Sequence, residues 1–357
     1  MTIASTLPLK PSREDILRAL FSLSTTAANH GQEDLANQIA GAFSAISLGK
    51  LEILPTLGED VSEAGIEEVR KLPLKSIDQL EGQYREFARQ SHASRFSFDT
   101  WLPRLEVPAL VPGELAMVIG DTGTGKSQFL SNWAMHAAPM LSLKFELELP
   151  GTLLFERYVS MDTKQDGEDI FDSYHADNGP VWNRGRYSHI FTCDKSGISP
   201  EEIEHIIDKC PGKIGGRPVM VFVDYVGLIG GKGTTRYEKV SNAIEWFKVI
   251  AKNSGTIFVV AAQVSRPDDR EAVQDPKLHS GKDSGSLENS GGLVLGLSRE
   301  TGATGNLKVK ILKCSKKGGG HYVMCDYQFP SMLIVQHKEA VETNPNWRQT
   351  DGTNSED

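Results

Sequence analysis

The spacing of apolar residues changes twice along the chain. In the first fifty residues it is helical: Ile16, Leu17, Leu20 and Leu23 share one face, with Ser12 placed to cap the helix and Gly31 to end it. A second helix is expected from about Glu33, carrying Leu35, Ile39 and Phe43. Two short amphipathic helices bury little alone, so they should pack on each other and on a neighbouring subunit. Residues 49–75 are acidic, broken by Pro55 and Pro73, and read as a connector. A capping box (Ser76 and Gln79) then opens a third helix with Ile77, Leu80, Tyr84 and Phe87 at helical spacing. Such a helix either lies on its own domain or docks on another protein.

From Phe96 to about Gln336 the pattern becomes short apolar runs alternating with helical periods, which predicts a parallel sheet covered by helices. Strands are expected at 115–119, 143–147, 189–192, 219–224, 257–261 and 293–297. Three more, at 307–312, 322–327 and 332–335, are so closely spaced that they should form an antiparallel extension at the sheet edge. Between strands, Ser199, Pro200 and Glu202 mark a helix start. Val240, Ile244 and Phe247 share the face of another helix that stops at Gly255. The expected organisation is a helical region over 1–72, serving oligomerisation or a partner, a linker with an amphipathic helix over 73–95, an α/β domain over 96–337, and a polar tail over 338–357, expected to be disordered. The sequence contains no internal repeat.

Composition narrows the function classes. No apolar run approaches the ~20 residues that span a bilayer, and the N-terminal stretch lacks a signal core, so a cytoplasmic protein without a membrane partner is expected. The net charge of −9 argues against nonspecific coating of nucleic acid. It does not exclude a local basic channel, because Lys308, Lys310, Lys313, Lys316 and Lys317 lie in one stretch without an acid. The four cysteines show no metal-ligand spacing and read as reduced, buried thiols.

The sharpest motif is Gly120-Asp121-Thr122-Gly123-Thr124-Gly125-Lys126-Ser127, a complete G-x-x-x-x-G-K-[ST]. Its glycines let backbone N–H groups close on phosphates, and the helix that follows presents its positive end. Lys126 would reach the β- and γ-phosphates, and the Ser127 hydroxyl would ligate Mg²⁺. An apolar strand precedes the loop and a helical stretch follows it, as the motif requires. A second apolar strand ends in Asp224, a residue placed to hold Mg²⁺ through water. ATP and Mg²⁺ are therefore the expected cofactors.

The order of further segments carries a resemblance. "FELELPGTLLFER" (145–157) resembles the F-S-L-E-M segment, with its helix ending in Arg, of bacterial replicative helicases of the DnaB type. "VDYVGLI" is similar to that family's D-Y-L-Q-L strand. "RYEKVSNAIEWFKVIAKNSGTIFVVAAQVSR" resembles its R-x-x-E-V helix and S-Q-x-x-R strand end, and "DSGSLENSGGLVLGLSRE" its E-S-G-S-I-E-Q segment. With the phosphate loop, these pieces in this order cover about residues 96–327. They imply a hexameric helicase with a RecA-like core: a mostly parallel sheet, an antiparallel edge extension and a small all-α region in front.

The resemblance assigns roles residue by residue. Glu148 would polarise the attacking water, and Gln263 would sense the γ-phosphate. Lys144, Glu146 and Glu148 alternate along one strand face, so a half-solvated strand with a charged side is the competing reading; register with the family selects Glu148 over Glu146. Arg157 and Arg266 read as packing or ion-pair residues. The family's K-x-R finger, supplied by an adjacent subunit, is altered here: Ser315 stands where the Arg would fall, leaving Lys313 and Lys316 as candidates. Lysine lacks the planar fork of arginine. For single-stranded DNA the resemblance points to residues 279–292, with Lys282, Gly285 and Ser286, and to the loop at 230–236, with Lys232. Neither has an aromatic stacking platform, which suits tracking of the backbone without base reading. Two flexible surface loops would have the same composition.

The expectation is an ATP-driven, ring-forming helicase, of a phage or mobile-element type given its short N-terminal region, with priming or loading by a separate protein. A RecA-like recombination or clock-type ATPase that uses ATP as an assembly switch, or a non-motor ring that recruits partners, are the alternatives.

Overall fold

The computed structural model describes residues 13–29, 31, 33–47, 75–90, 94–263, 291–299 and 305–337. The chain divides into two compact units, Met1–Arg89 and Gln90–Asp357. In the first, α1 (Arg13–Asn29) and α2 (Glu33–Ser47) are separated at Gly31, whose φ of 71° suits a residue without a side chain. They pack on each other through small residues: Ala27 and Ala36 are buried, and the Ser24 hydroxyl donates to the Ala36 carbonyl at 3.2 Å. α3 (Ile77–Gln90) starts at the Ser76–Gln79 capping box, with both reciprocal bonds formed.

Among the described residues, the second unit is built on nine strands in the order β3-β2-β4-β5-β1-β6-β7-β8-β9. These are β1 (Leu115–Gly120), β2 (Ser142–Glu146), β3 (Ile190–Cys193), β4 (Met220–Asp224), β5 (Ile257–Gln263), β6 (Leu293–Arg299), β7 (Asn306–Cys314), β8 (Tyr322–Gln328) and β9 (Leu333–Gln336). The first six in sequence run parallel, and β7, β8 and β9 extend the sheet antiparallel from β6. Burial follows this division. β1 and β4 are buried at every position, as strands covered on both faces must be, whereas β7 and β8 alternate.

The two faces form separate cores. Ala116, Val118, Phe222 and Val259 point to one side, where α4 (Lys126–His136) lays Phe129, Leu130, Trp133 and Ala134. Phe96, Phe98 and Trp101 close that side around Trp133. On the other side, Met117, Val221 and Val260 meet Ile203 and Ile207 of α7 (Pro200–Lys209) and Ile244 and Phe247 of α9 (Arg236–Ser254). The Ser199–Glu202 capping box opens α7, and a second box, Thr235–Glu238, opens α9. α8 (Pro211–Ile214) is a single turn. After β2, α5 (Gly151–Thr163) and α6 (Gly167–His175) are joined by a short connection. α6 carries Ile170, Phe171 and Tyr174 at helical spacing, but only Ile170 is buried.

The outer edge of β9 is closed by side chains. The Ile334 N–H donates to Asn132 Oδ1 at 3.0 Å, and the Ile334 carbonyl accepts from Trp101 Nε1 at 2.9 Å. Of the cysteines, Cys314 and Cys325 are buried, while Cys193 and Cys210 are partly exposed; all four are free thiols.

Candidate nucleotide-binding site

In a parallel sheet the C-terminal strand ends converge on one edge, where ligands bind. Here that edge gathers Gly120 of β1, Glu146 of β2, Asp224 of β4, Gln263 of β5 and Arg299 of β6. Register makes the alignment specific: Gly120 pairs with Gln263, and Glu146 with Asp224. Gly120 cannot carry a side chain, because a Cβ there would come within 2.7 Å of the Leu297 carbonyl oxygen and 2.8 Å of Thr124 Oγ1. Gly125, at φ 94°, turns the loop into α4, so the loop's N–H groups and the helix start face the same space.

That space is a cleft of about 370 Å³ lined by Lys126, Ser127, Glu148, Arg157, Gln263 and Tyr327, among others. The Lys126 ammonium donates to the carbonyls of Gly120 (2.9 Å) and Asp121 (2.7 Å). Burial holds it below its ordinary pKa, with Asp224, Asp121 and Glu148 opposing. Ser127 Oγ donates to Asp224 Oδ1 at 3.0 Å, joining the two residues expected to serve Mg²⁺. Gln263 Nε2 donates to Thr122 Oγ1 at 2.6 Å, so the expected sensor touches the phosphate loop itself. Glu148 lies just past β2, exposed on the wall of the cleft.

Lys144 and Glu146 do not lie on a half-solvated strand face. Both are fully buried, and they form an ion cluster with Asp224, also fully buried. Lys144 Nζ is 2.9 Å from Glu146 Oε2, 3.4 Å from Asp224 Oδ2 and 3.0 Å from Ser131 Oγ. Burial alone would lower the Lys144 pKa, but Asp224, Tyr158 and Glu146 together outweigh it and raise it. Burial pushes the Glu146 carboxyl up, with Lys144 pulling against it.

Several residues that line the cleft have no role there in the sequence reading, Arg157, Arg299, Tyr327 and Phe329 among them. Arg157, read as a packing residue, lines the cleft, and its Nη1 is buried without a hydrogen-bond partner. Arg299 stacks over the Tyr327 ring at 4.2 Å and lies 5.9 Å from that of Phe329. Nothing local marks these residues, because the cleft assembles them from α5, β6 and the end of β8.

Two lysines of the lysine-rich stretch meet acids brought to them by the fold. Lys316 Nζ is held by the Ala109 carbonyl (2.9 Å) and the Glu114 carboxylate (2.8 Å), and Lys317 Nζ by Glu106 at 2.9 Å. Lys313 lies on β7 opposite Val294. Lys232 is exposed on the loop that enters α9, whose root is fixed where Arg236 Nη2 donates to the Tyr225 hydroxyl at 3.3 Å. Lys282, Gly285, Ser286, Arg266 and the 338–357 tail lie outside the described residues.

The phosphate loop and the carboxylate facing it place the chain among the P-loop nucleotide-binding proteins. Within that class, the family model of the DnaB-like helicase C-terminal domain matches residues 106–331, and the chain belongs to this family. Replicative DNA helicase DnaB of Mycoplasma genitalium is 25% identical over 206 residues, 53% of this chain and 43% of the relative. The protein of the same name from Leifsonia xyli subsp. xyli is 24% identical over 326 residues, 80% of this chain and 68% of the relative. The chain thus spans well under two thirds of the length of the Mycoplasma protein. Among solved structures, one described as an ATPase domain superposes with a TM-score of 0.62 at 18% identity, covering 74% of this chain and all of that one. A DnaB-like replicative helicase, described with its interactions with primase, superposes at 0.59 and 17% identity, covering 85% of this chain and 78% of that one. The fold is therefore the RecA-like ATPase fold. Among the described residues no helix is long and apolar enough to cross a membrane.

Proposed function

We propose that this chain is the motor of a replicative DNA helicase: it hydrolyses ATP and uses each turnover to move along single-stranded DNA and part the duplex. The observation that carries this reading is the convergence of Lys126, Glu148, Asp224 and Gln263 on one cleft from four separate strand ends. The N–H groups of 120–127 and Lys126 hold the phosphates. Ser127, and Asp224 through water, would hold Mg²⁺, which would supply charge neutralisation on the β- and γ-phosphates; the two side chains are already joined at 3.0 Å. The site fits a cation, since the buried cluster behind it has two carboxylates to one ammonium. Glu148 orients and polarises the attacking water. Gln263, bonded to Thr122, registers the γ-phosphate.

Arg299, Tyr327 and Phe329 form the wall against which the base stacks. Tyr327→Ala should weaken nucleotide binding about tenfold, with Tyr327→Phe near the unaltered chain, because the ring face and not the hydroxyl makes the contact. A fluorescent nucleotide titration reads this; equal affinity in all three proteins would remove Tyr327 from the site.

Assembly into a homo-oligomer, taken as a hexamer, is supported by the exposed apolar face of α3, where Ile77 and Tyr84 are 78% and 67% exposed. A neighbouring copy would cover that face, and a separate primase or loader would serve the ring. Lys313 and Lys316 are the candidates for the finger reaching a neighbour's nucleotide; Lys316 would first leave Glu114, a partly exposed ion pair that costs little to open. Lys232, Lys282, Gly285 and Ser286 would line the single-stranded DNA path.

The test is ATP hydrolysis with and without single-stranded DNA, followed by strand separation on a forked duplex. Stimulation by DNA together with unwinding is expected. Ser315, standing where the family's finger has Arg, favours a second reading, a slow ATP switch that governs assembly. Low turnover indifferent to DNA would select that reading and retire the motor.

A further inference from the structure

The sequence segment resembling F-S-L-E-M carries Glu146 where that pattern has Ser, and Lys144 two positions earlier. Both side chains are fully buried beneath the nucleotide cleft, a costly placement for charges unless each serves another. An ammonium at Lys144 with no companion but Asp224 would form a direct ion pair with the carboxylate that faces Ser127. It would then act as an internal cation competing with any divalent ion for the same charge. The cluster is not arranged that way. Lys144 Nζ sits 2.9 Å from Glu146 Oε2 and 3.0 Å from Ser131 Oγ, and stands back at 3.4 Å from Asp224 Oδ2; neither carboxylate oxygen is tied by a hydrogen bond, so distance alone ranks the two ion pairs. Asp224 meanwhile directs Oδ1 to Ser127. Glu146 and Asp224 are register partners on adjacent strands, so the arrangement is fixed by the sheet.

We propose that Glu146 is a positioning residue: it draws the Lys144 ammonium off Asp224, leaving the Asp224 charge for the divalent cation that accompanies the nucleotide. The inference rests on the Ser127–Asp224 metal assignment above. Lys144 in turn keeps two buried carboxylates from facing each other unscreened, and ties both to α4 through Ser131, one turn beyond Ser127.

The test uses the full chain and a fluorescent ATP analogue, titrated over a series of Mg²⁺ concentrations and in EDTA. Glu146→Gln keeps the shape of the side chain and an oxygen for the Leu149 N–H, but it frees Lys144 to close on Asp224 from its present 3.4 Å. The Mg²⁺ concentration for half-maximal tightening of nucleotide binding should rise about tenfold, with binding in EDTA unchanged. Lys144→Met combined with Glu146→Gln restores the net charge and should bring the requirement back to within about twofold of the unaltered chain. Glu146→Ser serves as a second single variant if the glutamine protein folds poorly. An unchanged Mg²⁺ requirement in the single variants, or a shift that persists in the double variant, would overturn the proposal. If Mg²⁺ fails to tighten nucleotide binding to the unaltered chain, the metal assignment itself falls and takes the proposal with it.

Discussion

Glu148→Gln is expected to lower ATP turnover by about two orders of magnitude or more while leaving nucleotide affinity within about threefold. The amide keeps the size and the exposed position of the carboxylate but cannot accept the proton of the attacking water. In the proposed site the phosphates are held by the 120–127 loop and Lys126, whose bonds to the Gly120 and Asp121 carbonyls the change leaves in place, so binding and chemistry should separate. A single-turnover assay alongside a binding titration reads both. Turnover surviving in the glutamine variant would move the base to another group, whereas joint loss of binding and turnover would show that Glu148 shapes the cleft and does not drive the reaction.

The largest structural effect should come from Trp133→Ala. The Trp133 indole is fully buried on α4 and touches Phe96, Phe98, Phe129 and Phe222, so it joins the phosphate-loop helix to the sheet and to the segment before β1. Truncation leaves a cavity the size of an indole that these rings cannot all fill, with an expected loss of about 3–5 kcal/mol. Calorimetry should show the ATPase unit melting on the order of 10 °C earlier. Trp133→Phe should cost far less, because the indole N–H is buried without an acceptor and its removal relieves an unmet bond. A small effect of the alanine variant would mean the aromatic cluster repacks, and that α4 is held mainly from the sheet side.

Much of this structure could be read in one dimension because the signals are local. All nine strands appear where short apolar runs stand between turn residues, and both Ser76–Gln79 and Ser199–Glu202 form the boxes their spacing implies. The phosphate loop is contiguous, and Asp224 and Gln263 end strands that the pattern already marks. What could not be read depends on which strands become neighbours. Alternation on β2 has two meanings, a wet face or a charged core, and only the placement of Asp224 beside Glu146 decides between them. Arg299 and Tyr327 stack across strands that are not adjacent in sequence, and Glu106 and Glu114 reach lysines about two hundred residues away.

The closed edge of β9 bears on how copies can associate. An open edge would let one molecule continue another's sheet, and a joint made of a shared hydrogen-bond ladder has a single register and resists sliding. With both outward groups of Ile334 already taken by Asn132 and Trp101, two copies cannot fuse along that border without first breaking internal bonds. Contacts at that border are left to side chains. Such contacts can shift and reseat without the loss of a shared strand register.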